Sequence, residues 1–245
     1  MKDNFSQQAG IYAKYRPGYP QELFDFILRV TGERNAAWDC ATGNGQTAKE
    51  LARYFNKVYA TDSSRQQLDQ AIPAENIFYS LQPAEHTNFP ADSFDLVTVS
   101  QALHWFRFDE FYTEVKRVAR PGAWIAAWMY GLIRISPGAD KLVSDHHFKT
   151  LGPYWDPERK YVDDHYTNIP FPFEEIKCPV FGIRYTWTIE ELEGYLDTWS
   201  AVQKFKAAKG YNPVKQLIRE IKQLPLDKKM DISFPLHLRM GRIDK

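Results

Sequence analysis

The chain has 245 residues, 44% hydrophobic and 15% aromatic, and its 31 basic and 31 acidic side chains balance to a formal net charge of zero. That length supports one sizeable core, the balance leaves no basic excess for nucleic acid, and no apolar run approaches the ~20 residues that span a bilayer. Two cysteines, Cys40 and Cys178, are too few for a disulfide framework, and the polar start Met1–Gln7 lacks a signal-peptide pattern, so a soluble, cytoplasmic protein is expected.

Taken in chain order, Pro20–Val30 carries apolar residues at helical spacing after a proline start. Ala36–Cys40 reads as a first strand and Gln46–Tyr54 as a helix. Lys57–Asp62 is a second strand, Ser64–Ile72 a short helix, and Asn76–Ser80 a third strand. Ser93–Ser100, rich in β-branched residues, is a fourth. Phe108–Arg120 is amphipathic and Pro121-Gly122 closes it; Ala123–Tyr130 is a nearly all-apolar fifth strand. The pattern then loosens over 131–180, rich in proline, glycine and aromatics, which reads as an inserted lobe or lid. A strand over Phe181–Trp187, helices over Thr188–Ser200 and Pro213–Gln223, and a last strand over Ile232–Met240 follow.

Strands alternating with helices predict parallel βαβ units and an α/β, doubly wound sheet. Ligands of such sheets bind at the carboxyl ends of the strands, where the strand order reverses. The run Asp39-Cys40-Ala41-Thr42-Gly43-Asn44-Gly45 is a strand end followed by a glycine turn and a helix start. Asp62 ends the next strand, where an acid can accept hydrogen bonds from a ribose diol. The third glycine of a dinucleotide fingerprint is absent, with Ala48 in its place. Asp39 would also repel a pyrophosphate, so an NAD-dependent oxidoreductase is the weaker alternative and a nucleoside with a cationic tail the stronger. A purely structural turn stays open on these residues alone.

Four further segments extend the pattern: Asp62-Ser63-Ser64; Gln82-Pro83-Ala84-Glu85 leading to Ser93–Val97; Gln101-Ala102-Leu103-His104-Trp105-Phe106; and Arg117–Ala123. With the glycine turn, these five segments in this order resemble the motifs of class I S-adenosylmethionine-dependent methyltransferases over residues ~36–128. Tyr12–Pro20, His104-Trp105-Phe106 and Thr198-Trp199-Ser200 are similar to the small-molecule branch containing trans-aconitate methyltransferases. Two positions depart from the family: Ala41 replaces the first glycine of the turn, and Pro83 replaces an acid that often precedes the Ala-Glu pair.

The resemblance implies a Rossmann-like mixed sheet of about seven strands in a single domain over 1–245. Within it, 1–35 forms an N-terminal flap and helix, 36–130 the cofactor core, 131–180 the lid and 181–245 the elements that complete the sheet. It implies S-adenosylmethionine as cofactor. Asp39 would lie near the ammonium group, the backbone of Ala41, Gly43 and Gly45 against the methionine and ribose, and Asp62 on the diol. Ser63 would cover the adenine, Ala84 and Glu85 would lie at its edge, and Gln101 and Ala102 would close the methionine side. Tyr12 and Arg16 would come from the flap, Arg16 toward the cofactor carboxylate. His104 is placed either to take a proton from the acceptor or to orient it. Trp105, Phe106, Trp128 and Tyr130 are candidate pocket walls, and Arg134 a candidate clamp for an anionic acceptor. No metal is assigned: His146 and His147 are adjacent and cannot easily ligate together. The expected partner is a small-molecule acceptor, with no nucleic acid and no membrane, and the chain is expected as a monomer or weak homodimer. The fold could also persist as a catalytically inactive binding protein.

Overall fold

A computed structural model of the chain describes residues 17–244. Eight strands form one sheet in the order β3-β2-β1-β4-β5-β8-β6, with β7 also paired to β8. They are β1 Ala36–Cys40, β2 Lys57–Asp62, β3 Ile77–Leu81, β4 Phe94–Ser100, β5 Ala119–Tyr130, β6 Glu174–Ile176, β7 Val180–Trp187 and β8 Met230–Arg242. The first five run parallel, and β8 joins β5 antiparallel. This is the doubly wound, Rossmann-like mixed sheet expected, with one strand more than the seven anticipated. The strand order reverses between β1 and β4, so the switch-point crevice opens at their carboxyl ends.

The helices are α1 Gln21–Val30, α2 Gln46–Leu51, α3 Arg65–Leu68, α4 Phe108–Val118, α5 Pro137–Asp145, α6 Arg159–Asp163, α7 Ile189–Asp197, α8 Ser200–Lys209 and α9 Val214–Ile221. Strand β1 is buried along its whole length, because helices cover both faces of the sheet. On one face Leu23, Phe24 and Ile27 of α1, Leu51 of α2 and Leu192 and Leu196 of α7 pack with Trp128. On the other, Phe111 and Val115 of α4 pack with Trp38, Phe94 and Val97.

Several elements differ from the expected ones. Strand β5 begins at Ala119, and Arg120-Pro121-Gly122 lie inside it instead of only closing the helix. Two residues along β4, from Phe94 to Leu96, match five along β5, from Ala119 to Trp124. The excess forms a bulge, where a proline that cannot donate to the ladder is tolerated. The helix expected over Thr188–Ser200 ends at Asp197, and a second, α8, starts at Ser200. Segment 131–180 contributes to both cores, with Val143 and Leu151 on one face and Val162, Tyr166 and Ile169 on the other. Its start is tied to β8 by reciprocal backbone bonds between Arg134 and Ser233 of 2.7 and 2.9 Å.

Candidate active site

Parallel pairing brings the ends of β1, β2 and β4 to one edge, and that edge carries Asp39, Asp62 and Gln101. Asp39 is fully buried. It pairs in register with Thr98 of β4, whose hydroxyl donates to Oδ1 at 2.8 Å, while the Thr42 hydroxyl donates to Oδ2. Burial outweighs these donors and pushes the Asp39 carboxyl up to about 6, and the Asp62 charge adds to the rise. The carboxylate therefore braces the turn from beneath.

The turn itself is left-handed at three positions, with φ of 53° at Ala41, 59° at Gly43 and 84° at Gly45. Ala41 occupies a conformation that disfavours a Cβ by about 1 kcal/mol. Gly45 is required on two counts. A Cβ there would lie 2.1 Å from the Tyr79 hydroxyl, and Tyr79 is anchored to the Ile72 carbonyl at 2.8 Å.

Asp62 holds the turn from β2. Its Oδ2 accepts from Gly43 N and its Oδ1 from Ser64 N, both at 2.8 Å. Ser63 beside it is exposed. Ala84 is buried, and Glu85 accepts from Arg107 N at 3.1 Å, at the start of α4. That loop is stapled by α4: buried Glu114 accepts from Thr87 N at 2.8 Å, and Arg117 donates to the Phe89 carbonyl at 2.7 Å.

Beyond β4 the backbone turns left-handed at Gln101, with φ 59°, and Gln101 N donates to the Trp128 carbonyl at 2.9 Å. Gln101 Nε2 and Trp128 Nε1 are sealed from solvent and have no hydrogen-bond partner among the described residues. Orphaned donors cost about 1–3 kcal/mol each, and the one at Gln101 suits a ligand carboxylate. Acceptors at Asp39 and Asp62 with the Gln101 donor beyond β4 match the two ends of an amino-acid nucleoside, so the residues fit S-adenosylmethionine. Ala102 is buried against this segment.

His104 follows in a short helical turn, 7% exposed, with Nδ1 2.8 Å from the Tyr166 hydroxyl. Burial pushes the imidazole down to about 3, helped by the Arg159 charge and opposed by Asp163, so it is neutral at physiological pH. Trp105 packs tilted on His104, ring centroids 4.7 Å apart. Phe106 points into the core against Phe111. Trp128 is fully buried, with edge contacts to Tyr19 and Phe24. Tyr130 packs edge-on against Phe234 of β8. Arg134 is mostly exposed, 3.7 Å from Asp140, and lines a groove of about 1190 Å³ with Arg184, His165 and His237. Tyr12 and Arg16 lie outside the described residues. Among the described residues no cluster of three or more potential metal ligands occurs, and no helix is long and apolar enough to cross a membrane.

Sequence reasoning passes over four supporting residues. Thr98 is the one polar residue within the apolar run Leu96–Val99 of β4, and that was a usable signal. Tyr79, Glu114 and Tyr166 carry no local mark, because their roles depend on contacts made across the fold.

Residues 38–127 match the model of a methyltransferase domain. A Dictyostelium discoideum protein assigned as a methyltransferase is 34% identical over 253 residues, spanning 98% of this chain and 95% of that protein. A solved structure from Anaeromyxobacter dehalogenans, assigned as a type II methyltransferase, superposes with a TM-score of 0.86 at 37% identity, covering 94% of this chain and 99% of the other. The fold is also shared with phosphoethanolamine N-methyltransferase 2 of Haemonchus contortus, solved with phosphomonomethylethanolamine and S-adenosylhomocysteine. That likeness has a TM-score of 0.51 at 17% identity, over 98% of this chain and 58% of that one.

Proposed function

This chain belongs to the class I S-adenosylmethionine-dependent methyltransferase family, and from that premise we propose that it methylates a small molecule on an oxygen, of a carboxylate or a hydroxyl. The nicotinamide alternative loses its basis, since the full-length likeness is to methyltransferases. The resemblance of His104-Trp105-Phe106 and Thr198-Trp199-Ser200 supports placing the chain in the branch containing trans-aconitate methyltransferases.

S-adenosylmethionine supplies a methyl group on a sulfonium that is already a good leaving group. The protein's task is to hold two reactants ~3–3.5 Å apart in a dry pocket. Asp62 would accept the ribose hydroxyls, Ser63 would cover the adenine, and Ala84 and Glu85 would flank its edge. Asp39 would sit below the ammonium group, beneath the Ala41–Gly45 backbone, with Gln101 and Ala102 along the methionine side. Tyr12 and Arg16 would close the cofactor from the N-terminal flap. Trp105 and Tyr130 would line the acceptor side, with Phe106 and Trp128 as buried supports and Arg134 at its rim. Segment 131–180 would cover the acceptor, and the whole chain would work as one domain.

The glycine turn braced by Asp39 and by the Asp62 bonds to Gly43 N and Ser64 N supports the cofactor half of this reading most directly. Incubation with methyl-tritiated S-adenosylmethionine and a panel of carboxylic acids, phenols and amines tests it. Label transfer to an oxygen acid or phenol supports it. Transfer only to amines contradicts the oxygen assignment, and saturable cofactor binding without transfer to any acceptor would favour the inactive binding protein.

A further inference from the structure

Tyr166 lies far from the glycine turn in sequence, in the segment after α6, yet its hydroxyl reaches His104 Nδ1 at 2.8 Å inside the core. The backbone that delivers it is unusual. His165 and Tyr166 are consecutive non-glycine residues with φ of 54° and 63°, a combination that persists only where surroundings impose it.

Strand β8 supplies those surroundings. The His165 ring stacks on His237 of β8, centroids 4.0 Å apart and planes within 8°. Arg239 of β8 donates to the carbonyls of Tyr166 and Ile169 at 2.9 and 2.6 Å. Strand β8 therefore holds the strained turn in place, and the turn sends one side chain to the surface groove and the other to His104.

Tyr166 is buried, and among the described residues the one hydrogen-bond partner of its hydroxyl is His104 Nδ1. A phenol oxygen has one proton to give, and that proton points to Nδ1, since the reverse arrangement would leave a buried O–H unpaired. An imidazole that accepts at Nδ1 while neutral carries its own proton on Nε2. His104 Nε2 has no bond to any described residue and is not among the sealed, orphaned nitrogens.

We infer that Tyr166 is a positioning residue that locks His104 as a neutral imidazole with Nε2–H turned outward, so that His104 donates a hydrogen bond to the methyl acceptor and does not take its proton. This rests on the methyl-transfer reading above and narrows it. A site with a donor and no base suits an acceptor oxygen that arrives already deprotonated, whose second oxygen or neighbouring carbonyl can take the Nε2–H bond. Its own lone pair then forms the bond to the methyl carbon as the carbon–sulfur bond breaks, and no proton has to leave. The groups facing the imidazole agree: Arg159 and Asp163 of α6 offset each other, Trp105 is uncharged, and burial of the ring disfavours the imidazolium.

Long-range proton–nitrogen correlation spectra of protein carrying nitrogen-15 histidine, with S-adenosylhomocysteine present, test the inference without a known acceptor. In the parent protein Nδ1 should be unprotonated and Nε2 protonated, unchanged from pH 5 to pH 8. In Tyr166→Phe, which keeps the ring and removes only the hydroxyl, His104 should become a mixture of tautomers while the backbone spectrum stays folded. An unprotonated Nε2 in the parent, a His104 that titrates near its ordinary value, or a tautomer unmoved in a folded Tyr166→Phe would each overturn the inference. Calorimetry of the same samples with S-adenosylhomocysteine separates the two readings. Loss of binding in the parent would defeat the methyltransferase reading and leave the tautomer result standing.

Discussion

Replacing Gly45 by alanine probes the glycine turn at its tightest point. The new Cβ would adopt φ 84° and meet the Tyr79 hydroxyl at 2.1 Å and two ring carbons at 3.0 and 3.1 Å. The left-handed conformation costs alanine about 1 kcal/mol, and forcing a methyl into a filled site adds about 1–3 kcal/mol. Tyr79 cannot swing aside without giving up its bond to the Ile72 carbonyl, worth about 1 kcal/mol. A total loss of about 3 kcal/mol is expected. Tyr79→Phe removes the nearest clashing atom, so Gly45→Ala in that background should cost about 1–2 kcal/mol less, a coupling typical of contacting residues. Urea unfolding of the parent, both single variants and the double variant measures this directly. Equal cost of Gly45→Ala in both backgrounds would refute the packing argument, and a cost below about 1 kcal/mol would also remove the conformational one.

Three other changes address the same edge of the sheet. Ala41→Gly relieves the left-handed alanine, and after the entropy that glycine adds to the unfolded chain it should gain up to about 0.5 kcal/mol, a melting rise of about 1 °C by calorimetry. Asp62→Asn leaves either Gly43 N or Ser64 N facing an amide NH₂, costing about 1–3 kcal/mol in urea unfolding. Asp39 gives a pH signature. Its folded value of about 6 lies above the unfolded 3.8, so its contribution is fully present below pH 3.8 and is lost as pH rises through 6. The loss amounts to about 3 kcal/mol. Unfolding curves from pH 3 to pH 7 should therefore show Asp39→Asn gaining on the parent by about that much, whatever its fixed offset.

The centre of the parallel half was legible because β1 and β4 are buried on both faces and read as largely apolar runs. Trp38, Val58 and Val97 announce β1, β2 and β4 without ambiguity. Strand β6 escaped notice because Glu174-Glu175-Ile176 has neither length nor alternation, and it exists only by pairing with Glu175↔Gly241 and its neighbours on β8. Helix α8 was hidden because Trp199 interrupts the pattern after α7, yet Ala201, Val202 and Phe205 bury well once packed. The turn and its two acids could be read locally, because their spacing is set by one strand and one turn. What braces them could not. Thr98 reaches Asp39 through strand register, Tyr79 reaches Gly45 from the edge of the sheet, and Tyr166 reaches His104 through a turn held by Arg239. Phe106 and Trp128 looked like pocket walls from their aromatic character, whereas the fold buries both side chains in the two cores.

Calorimetric titration with S-adenosylhomocysteine, parent against Asp62→Asn, tests the cofactor assignment of this edge most directly. Saturable binding in the parent, weakened at least about tenfold by loss of the charge-assisted bonds to the ribose, is the predicted result. No heat of binding at millimolar ligand in a folded parent, or equal affinity in a folded Asp62→Asn, would contradict it.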